Sequence, residues 1–144
     1  MRHLFNPRLI ALLLSFFVLT QINGQQNSPV HKVVIQLNTA DTASWSGVIG
    51  NIKNIQKVWP NNLNIEVVVH GKALNFLVKN RSHLALEIDT LVKNGVCFNA
   101  CENTMQKHSI NKDMLLPNVT IVSSGIAEII LKQEAGWSYL KSGL

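Results

Sequence analysis

The sequence is poor in cysteine and in aromatic residues, and its charge is not concentrated anywhere. Its 144 residues include only two cysteines, Cys97 and Cys101, which excludes a domain built on a disulfide framework. Eleven basic and eight acidic residues follow residue 24, a net charge of about +3. The basic residues form no run and are not interleaved with aromatic residues, so we expect no nucleic-acid partner.

Motifs that define several enzyme classes are also absent. The chain has no G-x-G-x-x-G, no P-loop and no G-x-S-x-G, the usual signatures of dinucleotide, nucleotide and serine-hydrolase sites. The two cysteines and the scattered His70, His83 and His108 lack the short spacing of a zinc site. The sequence also lacks the paired carboxylates that would indicate acid–base catalysis. The sequence therefore predicts neither a metal ion nor a cofactor.

One long apolar run is present, at the N-terminus, and it predicts a signal peptide. A basic segment ending at Arg8 precedes the run and a polar stretch follows it. The run is about half the roughly 20 residues that a membrane-spanning helix needs. Cleavage after Gly24 would divide the chain into a signal peptide (1–24), a polar linker (25–30) and one domain (31–144). We expect an exported protein, periplasmic or secreted, without stable membrane insertion after cleavage; an uncleaved signal anchor is the alternative.

The rest of the chain alternates apolar runs with amphipathic segments. The runs predict five strands, centred on residues 33–35, 65–69, 96–100, 119–122 and 137–140. Apolar residues spaced by three or four predict the helices between them, from Trp45 to Trp59 in the first, with Ile126, Ile129 and Ile130 facing inward in the last. This alternation predicts an α/β fold with a mostly parallel sheet of about five strands and helices on both faces.

In such open sheets, functional groups gather beyond the carboxyl ends of the strands. Cys101 is the strongest candidate there, because a thiol at a strand end and helix N-terminus meets unpaired N–H groups and a positive dipole that stabilise thiolate. A buried cysteine that packs as a small hydrophobe is the alternative. The other pocket candidates follow the remaining strands: Asn38, Thr39, His70, Gly71, Ser123, Ser124 and Gly125.

Two residues are possible partners of Cys101. Cys97 lies four residues earlier on the same predicted strand, about 13 Å away, and a disulfide needs roughly 7 Å or less, so we expect no internal bridge and predict Cys97 to be a core residue. His70 is expected at the same sheet edge as Cys101, where it would act as a base or hydrogen-bond partner of the thiol, or would donate to a backbone carbonyl. The order of the strands decides between these roles.

The residues around these candidates resemble the DsrE/DsrF-like sulfur-relay family. Segment 95–105, GVCFNACENTM, is similar to the active-cysteine region of the family, and the likeness extends over about 33–139 through HGKAL at 70–74, LLP at 115–117 and VSSGIAE at 122–128. The resemblance implies a flavodoxin-like fold and a homo-oligomer, often a trimer or hexamer. It also implies that Cys101 stands where relay members carry a persulfide.

Two functions follow as hypotheses. The first is an exported sulfur-transfer or thiol-redox protein that uses Cys101, with a sulfur donor or acceptor protein as its partner. The second is a non-catalytic homo-oligomeric binding module in which Cys101 lines a strand-end pocket.

Overall fold

The computed structural model describes residues 29–142. The predicted signal peptide (1–24) and most of the predicted linker (25–30) lie outside this range. Within residues 29–142, no helix has both the length and the apolar character needed to cross a membrane.

Strands and helices alternate along the described chain. The five strands are β1 His31–Leu37, β2 Leu63–Val69, β3 Cys97–Cys101, β4 Thr120–Val122 and β5 Ser138–Ser142. The four α-helices are α1 Thr42–Val58, α2 Ala85–Lys93, α3 Glu102–Lys107 and α4 Gly125–Glu134. Two short 3-10 helices, Gly71–Leu77 and Lys112–Met114, complete the connections.

The ends of the helices follow from local residues. Asp41 caps α1, because its carboxylate accepts the backbone N–H groups of Ala43 and Ser44. That carboxylate is stabilised as an anion by the Ser44 hydroxyl and by these N–H groups, which lower the pKa of Asp41. Gly95 follows the end of α2 with a φ of 86°, a left-handed conformation in which glycine carries no steric penalty.

All strand pairs in the sheet are parallel, and the strand order is β4-β3-β2-β1-β5. The carboxyl ends of the strands therefore meet at one edge, where the candidate residues lie. β2 and β3 are neighbours with Val69 opposite Ala100, so the next residues along, His70 and Cys101, leave adjacent strands side by side. This is the α/β fold class that the sequence predicts.

The two faces of the sheet are covered unequally. The larger apolar cluster lies on the face that packs against α1, α2 and the first 3-10 helix, with Trp45, Ile52, Phe76 and Phe98 among its buried members. On the opposite face, α4 covers the sheet and the apolar cluster is small: Val34, Val68 and Ile129, with Trp137 packed against them. Helices thus lie on both faces, as predicted, but the α4 face keeps more polar residues.

The predicted inward face of the last helix is partly wrong. Ile129 is buried, but Ile126 and Ile130 are 52% and 49% exposed. A single helix lying on a sheet buries a narrow stripe, here Gly125 and Ile129, and residues at the flank of that stripe need a second helix beside them to be covered. Among the described residues, no other helix packs alongside α4 to do so.

Candidate functional site

Cys101 lies where a strand turns directly into a helix. It is the last residue of β3 and the N-cap of α3, and only 5% of its surface is exposed. An N-cap residue faces the backbone N–H groups of the first helical turn, which have no partner within the helix. The sequence placed the thiol at this position, and the structure agrees.

The Cys101 sulfur is surrounded by hydrogen-bond donors. The backbone N–H of Gly125 donates to Sγ at 3.2 Å. Burial by itself raises the pKa of the thiol, but hydrogen bonds from the Thr104 hydroxyl and from the N–H groups of Gly125, Thr104 and Asn103 outweigh burial, and the net pKa of Cys101 is lowered. The site therefore favours thiolate, the nucleophilic form of cysteine.

Two helices direct their N-termini at this one sulfur. Cys101 caps α3, and Gly125 is the first residue of α4. Each helix N-terminus carries a partial positive charge, so both dipoles stabilise negative charge on Sγ. Sequence reasoning found the first helix, but it did not find the second.

Thr104 connects the thiol to the loop after β2. Its hydroxyl accepts the backbone N–H of Gly71 at 3.1 Å, and the same hydroxyl acts as a donor toward Cys101. Thr104 is 9% exposed, so these contacts are shielded from water. One signal in the sequence could have indicated this residue: it lies three positions after the N-cap, where a side chain points back over the first turn of the helix.

His70 is a neighbour of Cys101 but is not bonded to it. Its ring Nε2 lies 2.8 Å from Nε2 of Gln36, on the strand to its other side. Within the described range, no hydrogen bond joins His70 to the thiol. Burial lowers the pKa of His70, which keeps the ring neutral near pH 7. The anion on Cys101 is therefore stabilised by hydrogen bonds and helix dipoles and does not form an ion pair with an imidazolium.

Gly125 brings α4 close to both side chains. A Cβ atom at this position would lie 3.2 Å from Cβ of His70, 3.2 Å from Cγ1 of Val68 and 3.3 Å from Cβ of Cys101. Most contacts of Cβ atoms in proteins are longer than these three distances. The absence of a side chain lets the helix N-terminus reach the sulfur.

The remaining sequence candidates shape the backbone of the site. Thr39 accepts the N–H of Asp41 through its hydroxyl and the indole N–H of Trp45 through its carbonyl, so it orders the start of α1. The Asn38 carbonyl lies 3.7 Å from the Cβ position of Gly71.

Ser123 and Ser124 lie in the loop before α4. The Ser123 carbonyl accepts the N–H of Asn103 at 3.4 Å, and the Ser124 hydroxyl caps the helix by accepting the N–H of Ala127.

Cys97 lies in a polar environment, so the prediction that it is a core residue is wrong. The residue is partly exposed and lies outside both apolar clusters. Its thiol donates to Oδ1 of Asn99 at 3.3 Å, and burial raises its pKa. Both cysteines are free and are separated along one strand, as the sequence predicted. Period-two alternation places Cys97 on the α4 face, which is largely polar at this point.

A buried ion pair lies on the same face. Glu66, opposite Cys97 in the sheet, is 3% exposed, and Nζ of Lys132 on α4 lies 2.5 Å from its Oε2. Its second oxygen, Oε1, has no hydrogen-bond partner in the described part of the protein. Burial raises the pKa of Glu66, and the adjacent ammonium of Lys132 opposes that rise. Within residues 29–142, no three His, Cys, Asp or Glu side chains are grouped so as to hold a metal ion.

Three functional candidates escaped the sequence reasoning: Gln36, Thr104 and Tyr139. Gln36 had a signal, because it is a polar residue inside the otherwise apolar β1, and such a residue is buried only with hydrogen-bond partners. Tyr139 had none, since its partner is 103 positions earlier in the chain.

The chain is similar to proteins of known structure and to one sequence family. The sequence model of the DsrE/DsrF-like family matches residues 21–142. The protein of unknown function MTH1491 from Methanobacterium thermoautotrophicum is 31% identical, with a TM-score of 0.74 over 77% of this chain and 98% of that one. No curated protein matches significantly.

Two further solved structures show the same fold at lower identity. The ychN protein from E. coli is 16% identical, with a TM-score of 0.65 over 78% of this chain and 99% of that one. BT1422 from Bacteroides thetaiotaomicron is 20% identical, with a TM-score of 0.53 over 76% and 93%. The family match spans most of the chain and includes every residue of the thiolate site. This protein is a member of the DsrE/DsrF-like family.

Proposed function

We propose that the protein carries sulfur as a persulfide on Cys101 and transfers it between a donor and an acceptor. The observation that carries the proposal is the lowered pKa of a nearly covered thiol at two helix N-termini. A sulfur-transfer role is consistent with the DsrE/DsrF-like family as a whole.

The chemical step needs only a thiolate and a sulfane-sulfur donor of the type R–S–SH. The Cys101 thiolate attacks the terminal sulfur, a new S–S bond forms, and the donor S–S bond breaks with its electron pair leaving on R–S⁻. The proton stays on the transferred sulfur and is then lost to water. No oxidant is consumed. Because Cys101 is 5% exposed, the slim terminal sulfur of a persulfide suits this site better than a bulky disulfide does.

Mass spectrometry of the intact protein tests the proposal. After treatment with a low-molecular-weight persulfide, we expect the wild-type protein to gain about 32 Da, one sulfur atom. The Cys97→Ser variant should gain the same mass, because the pKa of Cys97 is raised and its thiol stays protonated. Cys101→Ser should gain none. An unmodified wild type, or an adduct that survives in Cys101→Ser, would refute the assignment.

A thiol-redox role is less well supported than sulfur transfer. Cys97 and Cys101 are four residues apart in an extended strand, roughly 13 Å, so they cannot form a disulfide without a large movement of β3. Any redox cycle would need a thiol from another molecule.

A second candidate function, a module that binds a small anion, is supported by a cavity next to the site. The cavity measures about 130 Å³ and is lined by Gly71, Lys72, Arg81 and His108, but not by Cys101. Arg81 is held in place by Oδ1 of Asn75, 2.9 Å from its Nη1. Isothermal titration with sulfate at low salt tests this role: Arg81→Gln should abolish the heat, whereas Lys53→Gln on α1 should leave it unchanged.

We also propose that the protein is exported and forms a homo-oligomer. Ile126, Ile130 and Leu131 of α4 are about half exposed, and an apolar strip of this kind is typical of a subunit contact. Light scattering during gel filtration tests the assembly, with Ile126→Glu expected to reduce the mass and Leu86→Glu, on the exposed side of α2, serving as control. The N-terminal sequence of the protein recovered from the host envelope or medium tests cleavage after Gly24.

A further inference from the structure

A chain of hydrogen bonds crosses three strands on the α4 face. The hydroxyl of Tyr139 on β5 donates to Oε1 of Gln36 on β1. Nε2 of Gln36 lies 2.8 Å from Nε2 of His70, which follows β2. Gln36 is 9% exposed, so its amide is shielded from water and depends on these partners. The chain ends next to Cys101.

The direction of each hydrogen bond fixes the tautomer of His70. An amide nitrogen donates and has no lone pair to accept with, so Nε2 of His70 must be the acceptor. The ring is therefore neutral and carries its proton on Nδ1. Burial, the cause of the lowered pKa of His70, favours the same neutral form, and no charged side chain contributes to that shift.

Within the part of the chain that the structure describes, the Nδ1–H group is a donor without an acceptor. In residues 29–142, no side chain or carbonyl accepts from Nδ1 of His70, and the residue is half-buried at the sheet edge. His70 and Cys101 follow the paired residues Val69 and Ala100. Their Cβ atoms lie 3.2 and 3.3 Å from the place that a Cβ atom of residue 125 would occupy. This N–H group thus belongs to a residue that leaves the sheet directly beside Cys101.

A persulfide on Cys101 needs a hydrogen-bond donor at its terminal sulfur, whereas the thiolate needs its donors at Sγ. The N–H of Gly125 donates to Sγ, and the Thr104 hydroxyl and the N–H groups of Thr104 and Asn103 stabilise negative charge on the same atom. When Cys101 accepts a sulfur atom, Sγ becomes the neutral inner atom of an S–S bond and the negative charge moves to the terminal sulfur, about 2 Å further out. The donors around Sγ then no longer face the charge.

We propose that Tyr139 and Gln36 are positioning residues that hold His70 as the Nδ1–H tautomer, and that this N–H group donates to the anionic terminal sulfur of a persulfide on Cys101. The inference rests on the proposed sulfur-carrier function. It names His70 as the residue that contacts the transferred atom, and a persulfide anion as the group that the site recognises.

The tautomer is measured on the protein without any sulfur adduct. Nitrogen chemical shifts of the His70 ring should identify Nδ1–H in the wild type at pH 7. In Gln36→Glu, the carboxylate can only accept, so neutral His70 should turn to the Nε2–H form, which has no proton on Nδ1. Tyr139→Phe removes one hydroxyl from a residue that is 39% exposed, so it should leave the fold intact while it releases the amide of Gln36. His83→Gln, on the opposite side of the sheet, serves as control.

The contact with sulfur is measured on the persulfide. The ultraviolet absorbance of the persulfide anion, followed against pH, should have its midpoint about 0.5 to 1 pH unit higher in Gln36→Glu and in Tyr139→Phe than in the wild type, because one hydrogen bond to the anion is lost or misdirected. His83→Gln should leave the midpoint unchanged.

Each outcome is decisive. An Nε2–H tautomer in the wild type, or a tautomer that Gln36→Glu does not change, overturns the positioning role. Equal midpoints in the wild type and in both variants overturn the contact with sulfur. If no adduct forms on Cys101, the proposed function fails together with the sulfur contact, while the tautomer of the adduct-free protein still decides the roles of Tyr139 and Gln36.

Discussion

The thiol of Cys101 accepts a hydrogen bond at 3.2 Å from the backbone N–H of Gly125, a residue 24 positions later in the chain. This contact joins the N-terminus of α4 to the end of β3, although the two elements are separated by α3 and β4. It gives the sulfur a second helix dipole besides that of α3. The reactivity of the cysteine therefore depends on the packing of a distant helix.

The two cysteines should differ in the pH dependence of their alkylation. Hydrogen bonds lower the pKa of Cys101 and burial raises that of Cys97, so the iodoacetamide rate should reach half its maximum at a lower pH at Cys101 than at Cys97. The Cys97→Ser and Cys101→Ser variants isolate each thiol. Coinciding profiles would contradict the site description.

The same shift in pKa links stability to pH. A thiol whose pKa is depressed by folding stabilises the protein fully above its unfolded pKa, and that contribution is lost as the pH falls through the folded pKa. In denaturant unfolding, the free energy of unfolding of the wild type relative to that of Cys101→Ser should increase as the pH rises from neutral to about pH 9. A constant difference across this range would argue against a depressed pKa.

Thr104→Val should weaken the thiolate and the fold together. The change removes the hydroxyl that acts on Cys101 and leaves the N–H of Gly71 without its acceptor, at a residue that is 9% exposed. We expect an alkylation midpoint at higher pH and a loss of about 1 to 3 kcal/mol in the free energy of unfolding. Thr120→Val is the matched control, because Thr120 lies 3.9 Å from Cys97 and should affect that thiol alone.

Gly125→Ala should be destabilising because of its three short contacts. The new methyl group would lie 3.2 to 3.3 Å from side-chain carbons of His70, Val68 and Cys101. α4 must move away, at a cost of about 1 to 3 kcal/mol, and its N–H should then leave the sulfur, so the Cys101 midpoint should rise. Gly47→Ala, in open space on α1, should instead gain up to about 1 kcal/mol. A stable Gly125→Ala protein with an unchanged midpoint would refute this account.

Lys132→Met should leave Glu66 as a buried anion without a counter-charge. The Lys132 ammonium lies 2.5 Å from Glu66 and 3.4 Å from Glu128, and its removal should cost about 3 kcal/mol at pH 7. The pKa of Glu66 is already raised by burial, so the loss should shrink as the pH falls and the carboxyl takes up a proton. Adding Glu66→Gln should restore part of the stability.

Lys93→Met is the control for that experiment. Lys93 also pairs with a carboxylate, Asp89 at 2.7 Å, but its side chain is 72% exposed. Such pairs contribute less than about 1 kcal/mol. Equal losses in Lys93→Met and Lys132→Met would mean that the Glu66 pair is not shielded.

Local pattern was sufficient for the architecture. Solid apolar runs such as residues 33–35 and helical spacing from Trp45 depend on neighbours within a few residues, so they predicted the strands, helices and parallel sheet. The same local logic put Cys101 at a strand end and a helix start.

The pattern failed where burial depends on what covers a surface. Ile126 and Ile130 have helical spacing with Ile129, yet in residues 29–142 no second helix covers the flanks of α4, and both side chains stay exposed. Cys97 looked like a core residue because it lies in an apolar strand, but its side chain alternates onto the polar face beside Glu66. In both cases the sequence gives the periodicity, and tertiary packing decides which face is covered.

The sequence by itself determined the fold class, the free state of the two cysteines and the position of Cys101 at a strand end and helix start, because each follows from local periodicity and spacing. Only the tertiary structure decided that β2 and β3 are neighbours, that Gly125 and Thr104 act on the sulfur, and that Tyr139, Gln36 and His70 form one chain of hydrogen bonds. These contacts join residues far apart in the chain, and their partners are set by strand order and helix placement, which no local pattern encodes.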